Sequence, residues 1–259
     1  MRQWARVLFS EGIRTVPAGS LRFVDFSTPD PSADRVERFM TAAQHALADG
    51  DYALAAQRLI YARDAEPGNV PVLRMMTLAF WQADNLEAAA RAVRDWARVD
   101  GQRPAAHRFA ARIYEDMGAI DLAAEAAERA AERAPRDASE WARLGRLRLR
   151  LMDRAGAIEA LRRAQSLEPT VEALLDLALA LQLAGDVGAE VSVCEQAVEL
   201  DGESTVAWVR LAHALARTDR VGECIAACER ALELGAGAEV HDLLRTMRRR
   251  QPVELPHAV

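Results

Sequence analysis

The stretch "WARLGRLRLRLMDRAGAIEALRRAQSLEP", residues 141–169, has counterparts on both sides, and that self-similarity constrains the fold more than any single motif. It places Trp141, Leu144 and Gly145 in one segment, Ala157, Leu161 and Ala164 in a second, and closes on Pro169. The segment before it has Ala111, Tyr114, Gly118, Ala123, Ala127, Ala130 and Pro135 in the same phase, and further upstream stand Phe39, Ala43, Gly50, Tyr52, Ala55, Leu59, Ala62 and Pro67. Between those two, Leu73, Phe80, Ala89 and Val93 keep the phase. There Trp96 occupies a place that wants a small residue and Gly101 replaces the proline, which predicts a local distortion. Downstream the register slips by one residue. A unit beginning at Val171 carries Leu174, Leu177, Ala178, Leu181, Gly185, Cys194 and Ala197, with Glu190 at a packing position that is usually small. The last unit carries Trp208, Leu211, Ala212, Leu215, Cys224, Cys228 and Ala231.

The pattern resembles the tetratricopeptide repeat, a helix–turn–helix unit of about 34 residues written W-x2-L-G-x2-Y, then A-x3-F, then A and P. Arg148 stands where that pattern has Tyr. The resemblance, to scaffold or adaptor proteins of bacterial type, implies an all-α, right-handed α-solenoid of about six repeats with a C-terminal capping helix. The units fall at 36–69, 70–103, 104–137, 138–170, 171–204 and 205–238 within a solenoid of 34–250. Small residues such as Ala123, Ala157 and Ala164 let antiparallel helices approach closely, while Trp141, Leu144 and Leu161 fill the space between them. No pair buries its apolar face alone, so the pairs must stack and the ends must be capped. Residues 239–250, with Val240, Leu243, Leu244 and Met247 in one stripe, read as the cap, and 251–259 as a tail. Residues 1–33 form an arm in which "RVLFS" and "SLRFVDF" alternate like strands around "EGIRTVPAG". A hairpin, an extended arm and a flexible segment all fit that pattern. Asp34, followed three residues later by Glu37, reads as the N-cap of the first repeat helix.

Composition agrees with an all-α chain, because 51% apolar but only 5% aromatic residues suit Ala/Leu-rich helices better than sheets. The 33 basic residues are all arginine, and 39 acidic residues outnumber them. That balance gives no general attraction to nucleic acid or anionic lipid. Cysteines at 194, 224 and 228 lack a disulfide framework, and with no signal-type apolar core near the start the expected location is cytoplasmic, without membrane insertion. Cys224 and Cys228 sit at packing positions, where Cys acts as a small apolar residue. Phosphate loops, zinc spacings and nucleophile motifs are missing, so the expectation is a non-enzyme with no catalytic residue, metal or cofactor.

The resemblance places first helices along a concave groove and second helices on the convex back, where the fifth unit with Glu190, Glu195 and Glu199 is the most acidic. At about 100° per residue, Arg143, Arg146 and Arg150 share a face opposite Trp141, Leu144 and Gly145. By the resemblance this face borders the groove, with Arg108 and Arg112 entering from the unit before, Arg74 from the second unit, and Arg210, His213 and Arg217 from the sixth. Trp81 fits either the core or a groove contact. The expected function is a non-catalytic scaffold or adaptor that holds a segment of another protein, acidic in character, in an arginine-lined groove. A merely solvated arginine face, an accessory subunit of an enzyme or envelope-assembly complex docking through its arm, and a nucleic-acid-binding solenoid remain as alternatives. The sequence leaves the oligomeric state open.

Overall fold

A computed structural model describes residues 4–9, 12–17 and 31–250. The chain divides into two compact units, residues 1–72 and 73–259. In the first, strands β1 (Trp4–Phe9) and β2 (Gly12–Pro17) pair antiparallel, with Trp4 opposite Pro17 and Phe9 opposite Gly12. The second strand thus runs over "GIRTVP", which the pattern had read as a connection; "SLRFVDF" lies outside the described residues, as does the tail 251–259. Helices α1 (Pro31–Ala48) and α2 (Tyr52–Ala65) pack together, closing on Ala43, Ala55, Leu59 and Ala62. Helix α1 begins three residues before Asp34, so Asp34 is not the N-cap. It lies in the first turn, and its carboxylate accepts from Arg38 Nε and Nη2 at 3.2 and 2.6 Å. Proline's fixed φ suits a first helical position, which explains the earlier start.

Helix α3 (Val70–Gln82) crosses the division between the units. The second unit continues through α4 (Leu86–Asp100), α5 (Pro104–Asp116), α6 (Ile120–Arg133), α7 (Ala138–Arg150), α8 (Arg154–Leu167) and α9 (Val171–Ala184). Helices α10 (Val187–Leu200), α11 (Thr205–Leu215), α12 (Val221–Glu233) and α13 (Ala238–Arg250) complete it. The array is an all-α solenoid of helix–turn–helix repeats in which each helix packs on the next, from α4 to α13. First helices also touch one another, α7 with α9 and α9 with α11, so they share one face. Helix α13 ends the stack by burying Val240, Leu244 and Met247 and leaving Arg245, Arg248, Arg249 and Arg250 in water.

One turn geometry recurs inside the pairs. The N–H of Asp51, Asn85, Ala119, Asp153 and Asp186 returns to the carbonyl five residues back, and the residue before each of them is left-handed. Glycine holds that residue at 50, 118 and 185, with φ of 77°, 73° and 82°. Asp84 and Met152 hold it at 57° and 61°. Without glycine's freedom, that conformation costs about 1 kcal/mol. Asp51, Asn85, Asp153 and Asp186 then cap the second helices by accepting the backbone N–H three residues on.

Within the stack the buried positions are largely Ala and Leu. Ala157, Leu161, Leu177, Ala178, Cys194, Ala212, Cys224 and Cys228 belong to one core cluster and are essentially inaccessible to water. Trp96 fits despite its size: Phe109 on the next first helix packs against it at 5.6 Å, and the helices on either side stay regular. Paired helices approach closely at Gly145, where a Cβ would overlap the buried side chain of Leu161. Replacing Gly145 by Ala is therefore expected to cost about 1–3 kcal/mol in urea unfolding. Gly222→Ala, with open space around it, is the control expected to leave stability unchanged or slightly raised.

Candidate functional site

Nine of the ten residues expected to form the groove lie on first helices: Arg74 and Trp81 on α3, Arg108 and Arg112 on α5, Arg143, Arg146 and Arg150 on α7, and Arg210 and His213 on α11. Arg217 follows just beyond α11. Most of these side chains are engaged within the protein. Arg108 donates to Asp137 at the start of α7 at 2.6 Å, and its Nε lies 2.5 Å from the Glu140 carboxylate as an ion pair without hydrogen-bond alignment. Arg143 reaches back to Glu115 on α5 at 2.8 Å, and Arg150 approaches the same carboxylate at 3.7 Å. Arg146 reaches forward to Asp176 on α9 at 3.3 Å, and Arg210 reaches back to Gln182 on α9 at 3.2 Å. The indole N–H of Trp81 donates to Asp116 on α5 at 2.6 Å. The Arg112 guanidinium lies 5.0 Å over the Trp81 ring, and Phe109 meets that ring edge-on at 5.9 Å. Side-chain bonds therefore tie α3 to α5, α5 to α7, α7 to α9 and α9 to α11. Arg148, on the opposite side of α7, keeps its stem half-buried, donates to Glu128 on α6 at 2.6 Å and to the Gly156 carbonyl at 3.2 Å.

The carboxylates in these pairs respond to their surroundings. A hydrogen bond from Ser139 holds Asp137 below the usual carboxylate value, with Arg108 adding to the effect. Burial pushes Asp176 upward despite Arg146. Glu190, on α10, is 1% exposed and pairs with Arg217; burial raises its pKa while Arg217 and Arg210 oppose the rise. Glu190 thus occupies the position that other repeats give to a small residue by taking a cation into the gap. Burial, aided by the charge of Glu190, pushes the Cys194 thiol up to about 12, so it stays protonated and unreactive.

Of the row, Arg210, His213 and Arg217 surround a common cleft, of about 700 Å³, between α9, α11 and the start of α13. Gln182, Val206, Val209, Ala216, Ala236 and Glu239 complete much of its wall. The expectation from sequence omitted Val206 and Val209, although they fall on the same helical face as Arg210 and His213. It also omitted the carboxylates Glu115, Asp137, Glu140 and Asp176. Among the described residues there is no cluster of three or more His, Cys, Asp or Glu able to hold a metal, and no helix long and apolar enough to cross a membrane.

Stacked antiparallel helix pairs tied along their first helices define the class of helical-repeat solenoids. Residues 46–113, 142–205 and 206–234 each match a tetratricopeptide repeat model, and the chain belongs to the tetratricopeptide repeat family. No curated protein sequence matches it. Solved structures with the same fold include YrrB, a tetratricopeptide repeat protein with an unusual peptide-binding site, at TM-score 0.63 and 16% identity over 74% of this chain and 99% of that one. A tetratricopeptide repeat protein from Parabacteroides merdae superposes at TM-score 0.59 and 14% identity, over 83% of this chain and 99% of the other. MamA does so at TM-score 0.59 and 19% identity, over 64% and 92% respectively.

The raised pKa of Glu190 fixes the sign of a pH dependence. A carboxyl that holds its proton more tightly when folded loses folded-state stability as pH rises from its unfolded value through the raised one. Melting temperatures of the wild type and Glu190→Gln, compared from about pH 4 upward, should diverge in favour of Gln with rising pH. Divergence in the other direction would show that Arg217 outweighs burial.

Proposed function

We propose that the chain is a protein-interaction scaffold that holds a segment of another protein, acidic in character, against the first-helix face. The observation that carries this reading is the cleft between α9, α11 and the start of α13, where an apolar wall of Val206 and Val209 meets Arg210, His213 and Arg217. Val206 is 61% exposed there, and His213 is exposed beside it. Arg210 gives one of its five N–H donors to Gln182, which leaves others for a carboxylate. A preformed cleft on a rigid stack orders few side chains on binding, so little of the contact energy is lost to entropy. The peptide-binding site of YrrB, on the same fold, supports a peptide as the class of ligand. Arg74 and Arg112, exposed on α3 and α5, extend the basic character of the face, while the paired arginines of α5 and α7 hold neighbouring repeats in register.

Substituting Val206→Glu together with His213→Glu reverses the cleft without touching an internal ion pair. This variant should keep its helical circular dichroism and melting temperature and lose capture of the bound protein from extracts of the source cell. Undiminished capture would contradict the cleft as the binding site.

A further inference from the structure

The turns inside the third, fourth and fifth helix pairs each have large apolar side chains exposed in or within a helical turn of them. Met117 and Leu122 flank the first of these turns, Leu151 and Met152 form the second, and Leu183 stands before the third. Their exposures run from 36% at Leu151 and Leu183 to 58% at Met152. First helices in a stack of antiparallel pairs all run the same way, so these turns lie at one end of the stack, successive helices being about 10 Å apart. The five side chains therefore form a ridge along one edge, roughly 20 Å from the first turn to the third, separate from the α9–α11–α13 cleft.

A second observation singles out the middle of that ridge. Met152 occupies the left-handed position that glycine holds in the pairs before and after it. The side chain that causes this backbone strain packs against little, since it is the most exposed of the five. A residue that is strained in the backbone and largely exposed with an apolar side chain gains little from the isolated fold, and such residues cluster at functional sites such as ligand clamps.

The charges beside the ridge select the partner. Asp84, Asp116, Asp121, Asp153 and Asp186 all lie at these turns or the one before, all exposed, against Arg150 and Arg154. A second copy of the chain meeting this edge about a twofold axis would set Asp116 and Asp121 against Asp186, and an anionic lipid surface would meet the same repulsion. We propose that this turn edge is a second docking surface, which takes a cationic amphipathic helix of another protein along the Met117–Met152–Leu183 ridge. A span of that length matches a helix of about 14 residues, with apolar side chains on the ridge and Lys or Arg beside the aspartates.

The test uses the full chain and two synthetic helical peptides of 14 residues, one of Leu and Lys and one of Leu and Glu in the same order, followed by fluorescence anisotropy. The Leu/Lys peptide should bind and the Leu/Glu peptide should not. Met152→Gly removes the strained side chain and restores the residue found in neighbouring turns, so its melting temperature should not fall, yet affinity for the Leu/Lys peptide should drop by about tenfold. Leu151→Gln should weaken binding likewise, and Val206→Glu in the other cleft should not. Equal binding of the two peptides, unaltered affinity of Met152→Gly, or self-association that Met152→Gly abolishes would each overturn the proposal.

Discussion

The close approach of antiparallel helices at small residues is the constraint on which everything else depends. Ala123, Ala127, Ala157, Ala178 and Ala197 are fully buried, and Gly145 lets Leu161 reach the α7 backbone. At that separation the interior has room for Leu and Ala but seldom for a polar group, since burying one without a partner costs free energy. Of the few exceptions, Glu190 and Glu140 are buried against arginines that reach in from the surface.

The same constraint determines where the cations go. Excluded from the interface within each pair, the arginines of α5, α7 and α11 line up on the outer face of the first helices, where the repeat before or after presents a carboxylate or amide in reach. The Arg108 guanidinium lies against two carboxylates at once, hydrogen-bonded to Asp137 and ion-paired with Glu140, a placement that suits a planar, delocalised cation better than a lysine ammonium on a flexible stem. The row is thus chiefly a set of ties between repeats, with Arg74 and Arg112 on α3 and α5 left exposed.

Most of the fold could be read from the sequence because a repeat states its packing rule several times. Trp141, Leu144 and Ala157 mark the same interface that Trp208, Leu211 and Cys224 mark two units later. The periodicity of α7 alone also placed Arg143, Arg146 and Arg150 on a common face. What helix periodicity does not contain is the pairing between units. Arg143 and Glu115 lie 28 residues apart, Arg146 and Asp176 30, and Arg210 and Gln182 28. These spacings fall one to two helical turns short of a full repeat, and they bring side chains level on adjacent first helices. Reading charges at that offset would have found the ties. The start of α1 at Pro31, ahead of the cap expected at Asp34, and the second strand over "GIRTVP", expected as a connection, lie where no repeat restates the pattern.

The central claim is that the arginines of the first-helix face bind the protein's own repeats together. A double-mutant cycle on Arg143 and Glu115, both 27% exposed in their side chains and 2.8 Å apart, tests it most directly. Unfolding free energies of Arg143→Met, Glu115→Gln and the double variant should give a coupling of about 1 kcal/mol that favours the pair. A coupling indistinguishable from zero would show that Arg143 stands free of its neighbour, and that the row is a surface for ligands rather than a set of internal ties.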